Sequence, residues 1–340
     1  MDITPTSEEM VPVVKTVFQS SQSKSSRTSS PESVYQPDIN SNEDMCFGDL
    51  LSLCSGDKIN LINYLQDMGL LPHRYTCPEC ESNMRLIRTS KSDGYWWECK
   101  AKKAGKAHKI RRSLRRNTWF ARSKLTIVEI VILLYYWVKE TPRKMVEREM
   151  KLDSKTVSDW YNFCREVCGI TLEMRVGRIG GKGHIVELDD SIFGKKEVGE
   201  GEKEKCLIGI VDHETNECFV VPVDELCFQT ILHIIKEFIF PGTVMFSDCW
   251  NRYNCLASPE FQQLQVNHSL TFKDKDINEN NCIEGIWMTN KQRLLSRLRK
   301  EEFLQSYLFE FMYRRSTGKQ NRFQKFLQDI ARSYPPPMSG

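Results

Sequence analysis

Three carboxylates stand out by position. Asp189 closes the apolar run HIVELD, Asp248 closes GTVMFSD, and Glu284 stands near the start of the long helical pattern NCIEGIWMTNKQRLLSRLRK. Short apolar runs bounded by turn signals read as buried strands, and apolar residues three and four apart read as a helix. Two acids at strand ends and one on a helix are readily brought together. Oxygen donors of this kind suit Mg2+ or Mn2+, and two such ions about 3.5–4 Å apart activate a nucleophile and stabilise the leaving oxygen of a phosphodiester. Taken singly, each acid has the usual alternative fate of a solvated surface. A second group has different chemistry. Cys77 and Cys80 form a C-x2-C pair, Cys99 follows in WWEC, and His108 lies beyond. Four nitrogen and sulfur donors suit one structural zinc in a tetrahedron. The alternative is a metal-free β-hairpin module held by Tyr95, Trp96 and Trp97.

The segments around the acids are those of an α/β domain. After Asp189 come a polar, Gly- and Lys-rich loop (FGKKEVGEGEKEK) and the runs CLIGIVD and ECFVVPVDE, joined by HETN as a hairpin. TILHIIKEFIF has helical spacing. The strand of Asp248, a short helical piece (WNRYNCLAS), a candidate strand (QQLQVNHS) and the helix of Glu284 follow. Three strands, helix, strand, helix, strand, helix predict a mixed sheet with flanking helices, the element order of the RNase H-like fold. Asp248 and Glu284 are separated by 35 residues, the D-35-E spacing of DDE transposases and integrases.

The blocks VELDDSIFGKK, FSDCWNRY, VNHS and NCIEGIW, in this order, resemble the catalytic blocks of Merlin-superfamily transposases, relatives of a group of bacterial insertion-sequence transposases. The likeness runs over roughly residues 46 to 315. It implies an enzyme that binds double-stranded DNA at terminal inverted repeats, cleaves it with Mg2+ or Mn2+, and joins the 3′ ends to target DNA as a homo-oligomer. In that scheme Asp189 bridges two ions, and Asp248 and Glu284 each hold mainly one. The choice of Asp189 over Asp190 rests on the resemblance, since neighbours in a strand face opposite ways. His268 and Trp287 also match the blocks, His268 as a phosphate contact or a scaffold and Trp287 as core. The Cys/His module resembles the family's zinc ribbon, with one Cys of the usual second pair missing. Two other functions use the same residues: a host-recruited DNA-binding regulator or scaffold, and a structure-selective nuclease.

The net charge of +3 implies no partner, but residues 100–116 hold nine Lys or Arg and no acid. Lys109, Arg111, Arg112, Arg115 and Arg116 in this run, with Lys291 and Arg293 beside Glu284, are candidate DNA-phosphate contacts. A solvated face or a nuclear-import signal is the alternative for the run, and a nuclear protein is expected. Between these parts, residues 125–170 read as three helices, the last two joined by KLD in helix-turn-helix fashion, with Ser154 as N-cap. The expected organisation is a disordered tail over 1–45, a helical lead-in with the zinc-ribbon-like module over 46–124, the helix-turn-helix-like region over 125–170, and the catalytic domain over 182–330. Asp57 or Ser55 is the expected cap in the lead-in, and the glycines of TLEMRVGRIGGKG suit a linking loop. Thirteen cysteines without an N-terminal apolar stretch predict free thiols or metal ligands in a reducing compartment. The longest apolar run, IVEIVILLYYWV, is interrupted by Glu129 and too short to span a bilayer.

Overall fold

The computed structural model describes residues 44–103, 106–175, 177–198, 201–246, 265–266 and 301–336, with backbone alone at 103, 106, 191–198, 201–205, 246, 265–266 and 301–302. Two short helices lead in, α1 (Phe47–Ser55) and α2 (Lys58–Asp67). As expected, Asp57 caps the second, its carboxylate accepting the Ile59 amide at 3.1 Å. A three-stranded antiparallel sheet follows, β1 (Arg85–Arg88), β2 (Tyr95–Lys103) and β3 (Lys106–Ser113), in that order across the sheet.

Three helices come next: α3 (Ile127–Val138), α4 (Arg143–Met150) and α5 (Ser154–Arg175). The acid inside the apolar run is explained by its position. Glu129 is the third residue of α3 and closes a capping box, accepting the Thr126 amide at 2.7 Å while the Thr126 hydroxyl accepts its amide at 3.2 Å. At α5 the cap is Asp153 instead of Ser154; its carboxylate takes the Thr156 amide at 2.8 Å, and Ser154 is the first helical residue. Lys151, in the left-handed conformation, turns the chain between α4 and α5.

A five-stranded mixed sheet is built from β4 (Ile185–Val198), β5 (Gly201–Asp212), β6 (Cys218–Val223), β7 (Val244–Phe246) and β8 (Gln265–Val266), in the order β6-β5-β4-β7-β8. The first three pair antiparallel, and β7 and β8 add in parallel. The polar stretch expected as a loop after Asp189 is instead strand: β4 and β5 stay paired out to Val198 and Gly201, with an irregularity between Ile192 and Lys195. Lys and Glu can be carried by a paired strand as well as by a loop, which polarity alone does not distinguish. Helix α6 (Phe228–Phe238) connects β6 to β7.

Opposite faces of this sheet meet different helices. Leu207, Val211, Cys218 and Val220 pack against Leu308 and Met312 of α7 (Glu301–Thr317), while Phe219 points the other way and meets Phe238 of α6 at 4.7 Å between ring centroids. The last helix, α8 (Arg322–Ser333), was not expected from the sequence. With Tyr313 of α7, its residues Phe323, Phe326, Leu327 and Ile330 enter the core formed by α1, α2, the small sheet, α3 and α5. Arg314 of α7 reinforces that return: it lies over the Trp137 ring at 4.2 Å, donates to the carbonyls of Trp137 and Val138 at the end of α3, and pairs with Glu310 at 2.9 Å. No helix among the described residues is long and apolar enough to cross a membrane.

Candidate metal centres and nucleic-acid interface

The four predicted zinc ligands converge. Cys77 and Cys80 flank a tight turn in which the Glu81 amide donates to the Cys77 carbonyl and the Cys77 amide to the Ser82 carbonyl, both at 2.9 Å. Cys99 and His108 come from adjacent strands. Because Cys99 lies opposite Ile110 and Ala101 opposite His108, the two ligands are diagonal neighbours on one face of the β2–β3 pair. His108 Nε2 is 3.5 Å from Cys77 Sγ and 3.3 Å from Cys99 Sγ, and Cys80 Sγ is 3.6 Å from Cys99 Sγ. All four donor atoms lie within 4.8 Å of one another.

These separations fit a metal. Zinc bonds of about 2.3 Å to sulfur and about 2.0–2.1 Å to nitrogen, tetrahedrally arranged, put donors roughly 3.5–3.8 Å apart. A disulfide needs sulfurs about 2.05 Å apart, so the Cys80–Cys99 contact is not one. Hydrogen bonds from Ser82 hold the Cys80 thiol down at about 6, while burial and the neighbouring thiols push Cys99 up to about 12. Among the described residues no other group of three or more His, Cys, Asp or Glu ligand atoms gathers in this way. The histidine expected as fourth donor in place of the second Cys of the pair after WWEC stands on the next strand, and the pairing register brings it to Cys99.

Strand alternation also sorts the basic run. Cys99, Ala101, His108 and Ile110 occupy one face of the β2–β3 pair, and Glu98, Lys100, Lys109 and Arg111 the other. Glu98 is buried beneath the cations, with Arg111 Nε at 2.8 Å, Lys100 Nζ at 3.0 Å and Lys109 Nζ at 3.8 Å. The Arg111 and Lys100 hydrogen bonds lower its pKa, so it stays ionised and cancels one charge of the three. Arg112 is half-buried and donates to the Arg111 carbonyl at 3.1 Å, and Arg116 is exposed.

Arg115 is different from the other candidates. Its side chain is 11% exposed, makes a two-pronged pair with Asp93 at 2.9 and 3.1 Å, and donates to the Leu125 carbonyl at 2.7 Å. Facing inward with every prong engaged, it ties the small sheet to the start of α3 instead of meeting DNA phosphates. Lys291 and Arg293 lie outside the described residues.

Asp189 is half-buried on β4, directly opposite Gly209 of β5. Its carboxylate accepts the amide of Asp190 at 2.8 Å. Glu187 precedes it on the same face, buried and 3.0 Å from His213 Nε2. Gly209 brings no side chain to the face that Asp189 shares. Asp248, Glu284, His268 and Trp287 lie outside the described residues.

Nearby, the buried Asp212 anchors the approach to β4. It accepts from His184 Nδ1 at 2.9 Å, from the Glu214 amide at 2.9 Å and from the Gly180 amide at 3.1 Å. Burial raises its pKa, but these hydrogen bonds together outweigh it and the net shift is downward. Gly180 is required here: its φ is +86° and an added Cβ would lie 2.4 Å from the Thr243 hydroxyl. The glycines of this stretch therefore form a structural loop, as expected.

A mixed α/β protein with a Cys3His centre is what these features define. Residues 179–316 match the family model described as ISXO2-like transposase domain. An uncharacterized transposase-like protein of Haemophilus influenzae is 31% identical over 98 residues, 28% of this chain and 78% of that relative. The chain belongs to the ISXO2-like transposase family.

Proposed function

We propose that this protein is a DDE-type DNA transposase of the Merlin kind, with an RNase H-like core, that cleaves at terminal inverted repeats and transfers the strands into target DNA. The observation that carries this is a register. β4 and β7 run parallel with Glu187 opposite Phe246, and in the sequence Asp189 and Asp248 each stand two residues further on. Strands that kept this register would bring both carboxylates side by side on one face. The strand order β6-β5-β4-β7-β8, antiparallel then parallel, supports the RNase H-like reading.

Asp189, Asp248 and Glu284 would hold Mg2+ or Mn2+, and the ions supply nucleophile activation and charge stabilisation at the scissile phosphate. Asp189 fits that task as a hard donor, half-exposed at a strand position whose neighbour is glycine. The cationic face of β2–β3 and the exposed N-terminal turn of α5 position the duplex, the first through phosphates and the second in the manner of a helix-turn-helix. Cys77, Cys80, Cys99 and His108 hold zinc that orders this interface. A nuclear site of action and a homo-oligomer on DNA belong to the same reading.

The test is cleavage of the element's own repeat ends by purified protein with Mg2+. Asp248→Asn abolishes cutting and leaves DNA binding intact; a variant that cuts as fast as the parent refutes the assignment. Cutting without joining to a target would make the protein a nuclease of the same fold.

A further inference from the structure

A cavity of about 480 Å³ lies where the loop after β3 meets α5. That is the size of a small-molecule site, generally about 300–1,000 Å³. Its wall on α5 is one helical stripe, Thr156, the adjacent pair Asp159 and Trp160, Phe163 and Glu166, each step along it being three or four residues. Facing it, Trp119 meets Trp160 edge to face, with ring centroids 5.1 Å apart at 75°, and Trp160 meets Phe163 in the same way at 5.6 Å and 88°. Phe163 is left 44% exposed on the cavity wall, so a ring face is open to a bound group. Arg122 and Lys124 line the cavity and are exposed.

We propose that this cavity receives one unstacked nucleobase from a DNA end, with the adjoining phosphate at Arg122 and Lys124; this rests on the DNA-acting function given above. Perpendicular aromatic rings offer a flat base one ring face to stack on and one ring edge to abut, and every base has a π-face to offer. The charges select this occupant over an alkylammonium group, which also favours aromatic walls. Two exposed cations on the lining attract a phosphate and repel an ammonium. Of the two carboxylates present, Glu166 already accepts the Tyr334 hydroxyl at 2.7 Å, and Asp159 suits an exocyclic amine of a base. The position agrees as well: the loop continues directly from the basic strand β3, and α5 is the second helix of the helix-turn-helix-like pair.

The experiment compares, with the full chain, a blunt duplex, the same duplex with one unpaired terminal 2-aminopurine, and one with an abasic residue in its place. The expected result is binding at least about fivefold tighter for the 2-aminopurine end than for the other two, the gain that stacking one base supplies, with quenching of its fluorescence. Trp119→Ala removes the preference and the quenching while blunt-duplex affinity stays within about twofold. Phe163→Ala, at a position 44% exposed, weakens both in the same direction. Equal affinity for the three duplexes, or a preference that survives Trp119→Ala and Phe163→Ala, overturns the assignment and leaves duplex binding standing. Failure of the parent to bind any duplex overturns the DNA-acting reading and this one with it. Trp119-dependent binding of tetramethylammonium in place of the base would show an ammonium cage and also overturn it.

Discussion

Asp93→Ala is the sharpest test of how the small sheet is fixed to the helices. The substitution leaves the Arg115 guanidinium, only 11% exposed, without its carboxylate and with nothing but carbonyls around it. Breaking a buried pair from one side costs about 3–5 kcal/mol. The Ile127 amide in the first turn of α3 also loses its acceptor, Asp93 Oδ1 at 3.1 Å, which resembles the loss of an N-cap and costs about 1 kcal/mol more. Water reaching Arg115 from the sheet edge offsets part of this, so the net expectation is a loss of about 3 kcal/mol. Equilibrium urea denaturation followed by circular dichroism reads it as a fall in the midpoint at unchanged slope. Arg115→Met in the Asp93→Ala background restores part of the loss, because the stranded charge goes with it. The reasoning is refuted if Asp93→Ala unfolds within about 0.5 kcal/mol of the parent, or if Arg115→Met leaves stability unchanged and instead lowers the salt dependence of DNA binding as a phosphate contact does.

One zinc per chain is expected by elemental analysis of protein purified without added metal, and Cys99→Ser or His108→Ala lowers it below half while destabilising the β1–β3 sheet first; stoichiometric zinc in both variants would refute the ligand assignment. On the catalytic role proposed for Asp189, Gly209→Val, which sets a branched side chain opposite it, reduces cleavage by about 100-fold with DNA affinity unchanged, since displacing a reacting group by about an ångström is enough; cleavage at the parent rate would refute that role. Asp212, whose folded pKa lies below the unfolded value of about 3.9, contributes stability that is present above that value and is lost as the pH falls through the lower folded one. Asp212→Ala therefore flattens the acid limb of the stability profile below about pH 4, and an unchanged limb would show that the His184 and amide contacts do not hold its proton off.

Most elements were legible because their periodicity is local. The runs HIVELD, CLIGIVD and ECFVVPVDE became β4, β5 and β6, and three helices formed between residues 125 and 175 where helical spacing is strong. The zinc ligands were legible by type, since few other uses unite cysteines and a histidine on facing strands. What the sequence hid depends on partners distant along the chain. Arg115 belongs to a basic run and only Asp93, 22 residues away, shows that it turns inward. The cavity beside Trp119 and Trp160 exists because a loop folds onto a helix stripe. Helix α8, by contrast, carries a local signal that went unread: Phe323, Phe326, Leu327 and Ile330 stand three and four residues apart in RFQKFLQDIARS and are all nearly fully buried.

The return of α7 and α8 has a consequence for how such a protein can be divided. Tyr313, Phe323, Phe326, Leu327 and Ile330 complete the interior of the segment that begins at Met45, so a fragment ending before the large sheet would present a greasy trough where those rings belong. The segment before the large sheet cannot then be exchanged as a simple amino-terminal cassette. A functional chimaera must carry both ends of the polypeptide from the same parent, with the sheet as the replaceable insert between them.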